Sequence, residues 1–456
     1  MKHFELKRNE FDLSYKEKND VGYVLFKTDF DINKLENFFL RKNNVKFIET
    51  VKKEKIIVQR EDVKDLDIRD VITPLHKLSY EDQIFLKEKE LNEEFKTDDK
   101  IEIIEKKNSL RNNFQFAFGR NPNFNETETD SIIKKNDIGF RGGKFIQNRN
   151  KVFFPENVKF IDDILMKKLY EIRNLLNDEN LQNGIENLIF DRETLKGYLK
   201  MLMVRQSGED FIVLVSIFNY ENILENEEKF SNLKNFLKLL PFENISIVSD
   251  ESQFEGFKES EILKLGGKTD ILYKMCGFNF SVSYFSFFQT NVVNFEQIVD
   301  EINPTNKYLI DMCCGSGVIG ICLSKKVEKI LGIEINKESE KDFRKNQAMN
   351  DIKNYEFLNI DVNDFDRTFN ENVSMVLDPP RAGVSKNVIK KIRNLKEINE
   401  IFYVSCDYKK IKQNIEDLCK TESKSYKNEP FKVHKIIGYD VFPETNKLEV
   451  LFLLKR

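Results

Sequence analysis

Two side chains near the end of the chain combine reactive chemistry with an apolar, strand-like setting. Cys406 follows the apolar run IFYVS (401–405), and a thiolate at such a strand end is a candidate nucleophile. An inert core cysteine is the alternative interpretation, so the surroundings of the thiol must decide. Glu449 lies inside the strand-like run FPETNKLEVL (442–451), where a buried carboxylate is costly unless it is paired or catalytic. A solvent-facing edge strand is the alternative for Glu449.

Two further carboxylates stand where apolar strands are predicted to end. Asp378 follows VSMVL (373–377) and begins the sequence Asp-Pro-Pro-Arg, which ends at Arg381. Because consecutive prolines cannot donate to a sheet ladder, the chain leaves the sheet here, either at a ligand site or as a plain strand exit. Asp361 ends the apolar run YEFLNID, and a carboxylate there suits an adenine amino group. Ligands of open α/β sheets bind at the carboxyl ends of the strands, which favours a reactive thiol at Cys406.

A glycine-rich turn between two apolar strands predicts a site for a nucleoside-containing cofactor. Gly315, Gly317 and Gly320 fit the pattern G-x-G-x-x-G after the strand YLIDM (308–312). Glu334 ends the next apolar strand, 19 residues after Gly315. Such glycines permit a tight turn and a close backbone approach, and the acid binds ribose hydroxyls. A purely structural strand–turn–helix is the alternative, but strand, helix and acid all fall where the pattern requires them.

Composition indicates a globular chain without a membrane span. Of 456 residues, 40% are apolar and 33% are charged, and no apolar run approaches the roughly 18 residues that a span needs. The net charge of −4 means that contact with nucleic acid requires a local basic face. The six cysteines form no C-x-x-C pair, which argues against zinc or an iron–sulfur centre and favours a reducing compartment. The amino-terminal residues lack an apolar core, so we predict no secretory signal and a cytoplasmic or nuclear location.

The elements that must position these groups fall into three predicted domains. Residues 1–80 contain a small α+β module, since 21–60 read as strand, helix, strand and strand. A degenerate RNA-recognition fold and a plain folding appendage are both compatible with that order. Residues 81–280 begin with a charged helix, predicted to have a solvated face, and continue as a central α+β region rich in strands. Residues 281–456 alternate strand and helix, which predicts an α/β domain with a parallel sheet.

The central region contains a stretch in which basic residues lie among phenylalanines. Its basic members are Arg111, Arg120, Arg141, Lys144 and Arg149. Basic groups for phosphates beside aromatic rings for bases suit single-stranded or looped RNA. A sheet with one basic, solvated face is the alternative.

Five short motifs in combination resemble a known family. DMCCGSGVIG, VLDPPRAGVSKNVI, FYVSCD, FPETNKLE and SFFQTN (286–291) look like those of the S-adenosylmethionine-dependent RNA uracil-5-methyltransferases. The likeness to the eukaryotic tRNA branch extends to NNFQFAFG and VITPLHKLSYEDQ, and it spans more than half of the chain. The resemblance implies a C-terminal Rossmann-like methyltransferase domain after a central RNA-binding region. It also implies methyl transfer from S-adenosylmethionine to C5 of a uridine in RNA, with a T-loop uridine of tRNA as the substrate.

The resemblance further implies roles for individual residues. Cys406 is the nucleophile that adds to C6 of uracil, and Glu449 then removes the C5 proton. The cofactor or uracil pocket is lined by Gln289, Cys313, Glu334, Asp361 and Asp378. For RNA contacts we predict Arg111, Arg120, Arg141 and Arg381. We expect a monomer that binds RNA, with neither a metal nor the iron–sulfur cysteine cluster of the bacterial rRNA relatives.

Three features of the sequence depart from the family pattern. Asp407 and Tyr408 follow the nucleophile where the family has asparagine and proline, which places a negative charge beside the thiol. Lys447 stands two residues before Glu449, where a histidine is usual. Cys313 replaces an aromatic residue often found against the cofactor, as it also does in the eukaryotic tRNA branch. The first departure predicts harder ionisation of the thiol, and none removes a catalytic group.

Two other functions are compatible with part of the pattern. A nicotinamide-dependent oxidoreductase would also use the glycine-rich turn and Glu334, but it would need neither Asp-Pro-Pro-Arg nor a cysteine at the sheet edge. The departures at Asp407 and Lys447 also fit a non-catalytic RNA-binding or tRNA-folding protein on a methyltransferase scaffold. RNA binding without methyl transfer would identify such a protein.

Overall fold

The computed structural model describes most of the chain beyond residue 65. Its described residues are 11–12, 25–26, 66–96, 101–124, 135–142, 150–182, 187–252, 256–257 and 261–456. Contacts divide the chain into two units, residues 1–60 and 61–456. In the first unit the described part is one antiparallel pair, β1 (Phe11–Asp12) and β2 (Leu25–Phe26). Most of the predicted amino-terminal module, together with Lys144 and Arg149, lies outside the described residues.

The second unit begins with two helices and a strand, followed by a six-stranded sheet. The first three elements are α1 (Arg69–Ile72), α2 (Tyr80–Phe95) and β3 (Glu102–Ile104). The elements of the central region are β4 (Asn113–Arg120), β5 (Asn136–Gly139), α3 (Asp163–Leu175), α4 (Glu179–Gln182), β6 (Leu199–Ser207), β7 (Asp210–Ile217), α5 (Tyr220–Leu224), α6 (Glu227–Lys238), β8 (Ile245–Ser249) and β9 (Ile262–Lys264). Their strands form one sheet in the order β5-β4-β6-β7-β8-β9, in which β7 and β8 are parallel and the other pairs antiparallel.

The phenylalanines of β4 build the core of the central region. Phe114, Phe116 and Phe118 alternate along the strand, so they share one face of the sheet, and each is at most 4% exposed. They pack in one cluster with the leucines of α3 and α6. These rings therefore stabilise the fold and are not available for base stacking, which was one of the two interpretations that the sequence left open for this stretch.

The carboxyl-terminal region alternates strands and helices around a second, larger sheet. Its elements are β10 (Asp270–Met275), β11 (Phe278–Ser283), α7 (Val292–Glu301), β12 (Tyr308–Met312), α8 (Val318–Leu323), β13 (Lys329–Glu334), α9 (Lys337–Met349), β14 (Tyr355–Asn359), a 3-10 turn (Val362–Asp364), β15 (Val373–Leu377), α10 (Lys386–Asn394), β16 (Ile398–Ser405), α11 (Tyr408–Cys419), β17 (Lys432–Tyr439) and β18 (Glu449–Lys455). The sheet order is β14-β13-β12-β15-β16-β18-β17-β3, and β10 and β11 form a separate hairpin. The first five strands of that order are parallel, and β18 lies antiparallel between β16 and β17.

Both faces of this large sheet are covered, which explains why its strands are continuous apolar runs. In β12, Leu309 belongs to the core on one face and Ile310 to the core on the other. In β16, Phe402 packs in the same core as Leu309, and Ile401 packs in the same core as Ile310. The fold class predicted from the sequence, a Rossmann-like α/β domain beside a central α+β region, is confirmed.

The last strand of the large sheet comes from an earlier part of the chain. β3 pairs in parallel with β17, so that Ile103 lies opposite Gly438. Helix α2 packs on the same sheet through Leu91, which shares a core cluster with Ile103. Its buried face also contains Gln83 and Lys87, two polar residues of the helix for which a solvated face was predicted. The boundaries at residues 80 and 280 stay predictions.

Among the described helices, none has both the length and the apolar character that crossing a bilayer requires.

Candidate active site

The predicted site residues converge on one edge of the large sheet. Cys313 follows β12, Glu334 ends β13, Asp361 follows β14, Asp378 follows β15 and Cys406 follows β16. Since these five strands are parallel, their carboxyl ends meet at the same edge. Glu449 is the first residue of the antiparallel strand β18, so it reaches that edge from the opposite direction.

Strand register brings the predicted nucleophile and the predicted base together. Ser405 of β16 pairs with Val450 of β18, and the next position outward on each strand is Cys406 and Glu449.

Cys313 lies in the middle of the same edge. Met312, the residue before it, ends β12 and pairs with residues at the ends of β13 and β15. Cys313 therefore emerges between the two neighbouring strand ends, and burial and nearby carboxylates raise the pKa of its thiol to about 12.

The glycine-rich turn is held so tightly that side chains are excluded at two of its positions. Gly317 has a φ of +76°, and a Cβ there would lie 2.5 Å from the ring of Phe343. A Cβ at Gly320 would lie 2.4 Å from the ring of Tyr355. Both distances are shorter than any tolerated carbon contact, so the turn and the start of α8 require glycine here. A Cβ at Gly315 would meet nothing within 4 Å, which leaves open space above the turn.

Asp311 positions this turn, a role that the sequence analysis missed. Its Oδ2 accepts hydrogen bonds from the Gly320 amide at 2.9 Å and from the Tyr355 hydroxyl at 2.7 Å. Burial raises the pKa of Asp311 to about 6, although both hydrogen bonds act in the opposite direction. The signal was present in the sequence, because an acid in an otherwise apolar strand needs a partner.

Two acids with different surroundings stand at the ends of β13 and β14. The Glu334 carboxylate accepts from the Gly315 amide at 3.0 Å and from the Asn336 amide at 2.9 Å, which ties it to the glycine-rich turn. The next side chain, Ile335, is apolar and 63% exposed. Asp361 accepts from the amide of Asn363 at 2.7 Å, and this bond lowers the pKa of Asp361. The edge therefore presents two carboxylates beside an exposed apolar side chain.

The Asp-Pro-Pro-Arg turn continues directly from β15. The Asp378 amide donates to the carbonyl of Met312 at 3.4 Å, which extends the strand pairing by one residue. Burial, with the negative charge of Asp311, raises the pKa of Asp378 to about 7. The Gly383 amide closes the turn by donating to the carbonyl of Pro380 at 2.8 Å. Asp378 is thus placed at the edge with a carboxyl group that exchanges protons near neutral pH.

Charges around Cys406 act in opposite directions on its thiol. Burial raises the pKa of Cys406, and the negative charges of Glu449 and Asp378 raise it further. Arg381 opposes this shift through its positive charge and a hydrogen bond to the sulfur. The same arginine faces Glu449, whose pKa burial and Asp378 raise well above the usual value. Arg381, predicted from the sequence as an RNA contact, is therefore electrostatically coupled to both Cys406 and Glu449.

The acid beside the nucleophile is neutralised by lysines. Asp407 forms an ion pair with Lys410 at 2.9 Å. Although burial acts in the opposite direction, hydrogen bonding and charge from Lys410, together with the charge of Lys447, lower the pKa of Asp407. Two of the departures from the family pattern, Asp407 and Lys447, thus carry opposite charges that attract each other. This pairing limits the effect of Asp407 on the thiol of Cys406.

The segment 286–291 lies at the same edge because of contacts with the end of β17. The Asn291 side chain donates to the carbonyl of Val441 at 3.3 Å. On the other side, the buried Arg205 donates to the carbonyls of Tyr284 and Ser286. Gln289 is half-buried within this segment.

An exposed aromatic ring stands two residues before Gln289. Phe287 is 68% exposed, which is unusual for a residue of this size and apolar character. Gln289 was predicted from its sequence motif as a site residue, and Phe287 was not. The available signal was the pair Phe287-Phe288 directly before Gln289, of which only Phe287 is exposed.

The structure does not gather the three arginines of the central region into one cluster. Arg111 precedes β4 and Arg120 ends it, so the strand separates them by about 25 Å. The Arg111 guanidinium stacks at 4.4 Å on the ring of Phe160 and at 5.6 Å on that of Phe442. Arg120 is largely exposed and lies 3.4 Å from Asp191. Arg141 is half-buried beyond the end of β5.

Comparison with known families identifies a match over the carboxyl-terminal half. A family model described as tRNA (Uracil-5-)-methyltransferase matches residues 213–456. An RNA methyltransferase of Clostridium acetobutylicum is 30% identical over 397 residues, which are 83% of this chain and 80% of that protein. The human tRNA (uracil-5-)-methyltransferase homolog A is 29% identical over 59% of this chain. The matched segment is 46% of the human protein, so the chain spans about half of that relative's length.

A solved structure has the same fold. The tRNA (uracil-54, C5)-methyltransferase of Pyrococcus abyssi, in complex with S-adenosyl-L-homocysteine, superposes with a TM-score of 0.65. The superposition covers 83% of this chain and 84% of the archaeal chain at 20% identity.

Proposed function

The chain belongs to the tRNA (uracil-5-)-methyltransferase family, and from that premise we propose that it methylates C5 of a T-loop uridine in tRNA through a covalent cysteine adduct. As a member of this family, the chain is an RNA methyltransferase that uses S-adenosylmethionine as its methyl donor. What we propose beyond family membership is the T-loop uridine as the target and the covalent adduct as the intermediate. The observation that supports the adduct is the pairing of β16 with β18. That register brings a thiol and a carboxylate, Cys406 and Glu449, to adjacent positions at the ligand edge.

The residues at the edge fit S-adenosylmethionine. The space above Gly315 supports a ligand against the backbone, and we assign to Glu334, at the end of β13, the role of accepting from ribose hydroxyls. Ile335 offers an apolar surface for the adenine ring, and Asp361 offers an acceptor for its amino group. When bound, S-adenosylmethionine supplies an electrophilic methyl group on a sulfonium centre.

Cys406 makes C5 of uracil reactive. C5 is a poor nucleophile until a group adds at C6, and the Cys406 thiolate is the candidate for that addition. Addition forms the S–C6 bond and places the electron pair on an enolate whose C5 takes the methyl group. Because burial, Glu449 and Asp378 raise the pKa of the thiol, Arg381 is needed to favour the thiolate.

Glu449 completes the reaction. After methylation, C5 holds both the new methyl group and its original proton, and a carboxylate must remove that proton. The electrons of the C5–H bond then form the C5–C6 double bond, and Cys406 leaves as a thiolate. The raised pKa of Glu449 makes its ionised form a stronger base, and the positive charge of Arg381 acts in favour of that ionised form.

The target base must leave its stack before Cys406 can reach C6. A flipped uridine needs hydrogen-bond partners for its edge and a surface for its ring. Gln289 and Asp378 are the candidates for the edge, and the exposed ring of Phe287 is a candidate for stacking. Asp378, with a pKa of about 7, has both a donor and an acceptor form available near neutral pH.

The proposal is tested by incubating the protein with unmodified tRNA and methyl-labelled S-adenosylmethionine, followed by nucleoside analysis. We expect 5-methyluridine at one T-loop position. A tRNA transcript with that uridine replaced by cytidine is the matched control and should remain unlabelled. Tight tRNA binding without any methylated nucleoside would instead support a tRNA-folding protein on the same scaffold.

Glu334→Ala should weaken binding of S-adenosylmethionine. Loss of a charge-assisted hydrogen bond costs about 1.5–3 kcal/mol, which corresponds to roughly ten- to a hundredfold in affinity. Calorimetry on the folded variant measures this effect. Glu328→Ala, which removes an exposed acid just before the opposite end of β13, is the control and should bind as the wild type does. Equal affinity for all three proteins would exclude Glu334 from the cofactor site.

Removing positive charge at Arg111, Arg120 and Arg141 should flatten the salt dependence of tRNA binding. Each lost phosphate contact lowers the slope of log affinity against log salt by about 0.7–0.9. The measurement is a binding titration at several salt concentrations for each single variant. Arg367→Ala is the control, because Arg367 lies outside the central region and pairs with an acid, Glu356, as Arg120 pairs with Asp191. Slopes equal to that of the control would show that these arginines form only a solvated face.

A further inference from the structure

The loop between β17 and β18 determines how the chain enters Glu449. It comprises residues 440–448, and most of them are buried although they belong to neither strand. Glu449 is the first residue of β18, where the ladder begins with its pairing to Tyr439. Because the loop leads directly into Glu449, its conformation bears on the position of that carboxylate. Buried loop backbone needs hydrogen-bond partners from elsewhere in the molecule.

Lys87 of α2 provides one anchor for this loop. Its Nζ lies 2.5 Å from Oδ1 of Asp440 and donates to the carbonyl of Phe442 at 3.2 Å. The side chains of Lys87 and Asp440 are 3% and 0% exposed, so the ion pair is fully enclosed. Lys87 and Asp440 are 353 residues apart in the sequence, so this ion pair links α2 to a loop from a distant part of the chain.

Gln83, one turn earlier on the same helix face, provides the second anchor. Its Oε1 accepts from the amide of Glu444 at 2.9 Å, and its Nε2 donates to the carbonyl of Leu75 at 3.2 Å. The Leu75 amide in turn donates to the carbonyl of Glu444 at 2.9 Å. Both backbone groups of Glu444 are thus bound by residues 75–83.

Glu444 needs this support because its backbone is in an unfavourable conformation. Its φ of +62° lies in the left-handed region, which side chains other than glycine rarely adopt. Its carboxylate is fixed as well, at 2.5 Å from Nζ of Lys159. Strained residues of this kind persist when the surroundings determine them, and they are common at functional sites.

We propose that residues 75–87 act as a positioning element for the Glu449 carboxylate, with Lys87 and Gln83 as positioning residues. The inference rests on the proposed covalent mechanism, since it assigns the element to proton removal from C5. Cys406 follows β16, which is held on its other side by β15. Loss of the loop anchors should therefore slow proton removal more than addition of the thiolate.

Lys87→Met tests the proposal because it removes the ammonium and keeps the length of the side chain. With unmodified tRNA and S-adenosylmethionine, we expect release of methylated tRNA to slow by about ten- to a hundredfold, because a small misplacement of a catalytic group lowers a reaction rate by roughly this factor. The rate of adduct formation should change by less than about threefold. A denaturing gel measures the covalent complex, and rapid quench measures both rates. The methylated covalent complex should therefore accumulate.

Lys200→Met is the matched control. Lys200 forms an equally buried ion pair with Asp250 in the central region, with both side chains 0% exposed. This variant should lose thermal stability to a similar degree but keep the wild-type ratio of release to adduct formation. Gln83→Met removes an anchor without leaving an unpaired charge, and it decides the question if Lys87→Met does not fold.

Four outcomes separate the possibilities. Slow release in Lys87→Met or Gln83→Met, with normal adduct formation, supports the positioning element. Equal slowing of both rates, or effects no larger than in Lys200→Met, overturns it. If Cys406→Ala turns over fully, the covalent mechanism itself is wrong; if Glu449→Gln accumulates adduct and the anchor variants do not, the inference alone fails.

Discussion

Cys406→Ala should bind tRNA and S-adenosylmethionine as the wild type does, yet give neither a covalent adduct nor methylated tRNA. Without the S–C6 bond, C5 of uracil has no enolate character, so no later step begins. Removal of an enzyme nucleophile typically costs on the order of 10⁶-fold in rate, which places product below detection. Single-turnover labelling, with a denaturing gel for the adduct, measures both losses.

Cys419→Ala is the control for this result. Cys419 is also a free, half-buried cysteine, but it ends α11, the helix that leads away from the ligand edge. This variant should retain adduct formation and turnover. Full turnover by Cys406→Ala would rule out the nucleophile and the mechanism built on it.

Glu449→Gln should form the adduct, accept the methyl group and then stall with the tRNA attached. The amide has the shape of the carboxyl group but cannot remove the C5 proton, and loss of a general base typically costs about 10²- to 10⁴-fold. A slowly migrating band on a denaturing gel, with a methylated uridine by mass analysis, is the expected product.

The substitution should leave the folded state intact. The raised pKa of Glu449 means that the folded protein favours the neutral carboxyl, which the amide imitates. The folded state binds the proton of the Glu449 carboxyl more tightly than the unfolded chain does, so the wild type loses stability as the pH rises toward the pKa of Glu449 in the folded protein. The glutamine variant has no such proton and avoids this loss. Glu400→Gln, at the opposite end of the sheet near the start of β16, is the control and should turn over without a trapped complex. Free release of product by Glu449→Gln would exclude it as the base.

The edge of the sheet was predictable because each chemical group follows an apolar run. Asp378 and Cys406 each come directly after a buried strand, and parallel strands must present their ends together. Glu334 was predictable for the same reason, with the glycine pattern as a second signal. Local sequence thus identified the large sheet and the groups at its edge.

Long-range pairing was not predictable, since the sequence of α2 gives no sign of its partners. Lys87 lies in a charged helix whose pattern favours a solvated face, yet it is enclosed with Asp440. The phenylalanines of β4 were equally ambiguous, because one aromatic residue serves a core or a base-stacking surface. Burial of these groups depends on which element packs against them, and that information is spread over the chain.

The departure at Asp407 shows the same limit at the site itself. Considered alone, an acid next to the nucleophile predicts a thiol that ionises less easily. The structure instead pairs it with Lys410 and adds the attraction of Lys447. The charge balance around a residue is a property of several segments, so a single motif overstates the effect of Asp407.

The pairing of β3 with β17 also constrains how the protein is made. On the ribosome β3 emerges more than 300 residues before β17, so its backbone groups remain without this partner until β17 has been synthesised. Contacts of such wide sequence separation form late and slowly, because the intervening loop must be closed first. A polypeptide that starts after β3 would leave the outer backbone of β17 open, and open strands of this kind recruit other chains. β3 thus protects the outer edge of β17 from self-association.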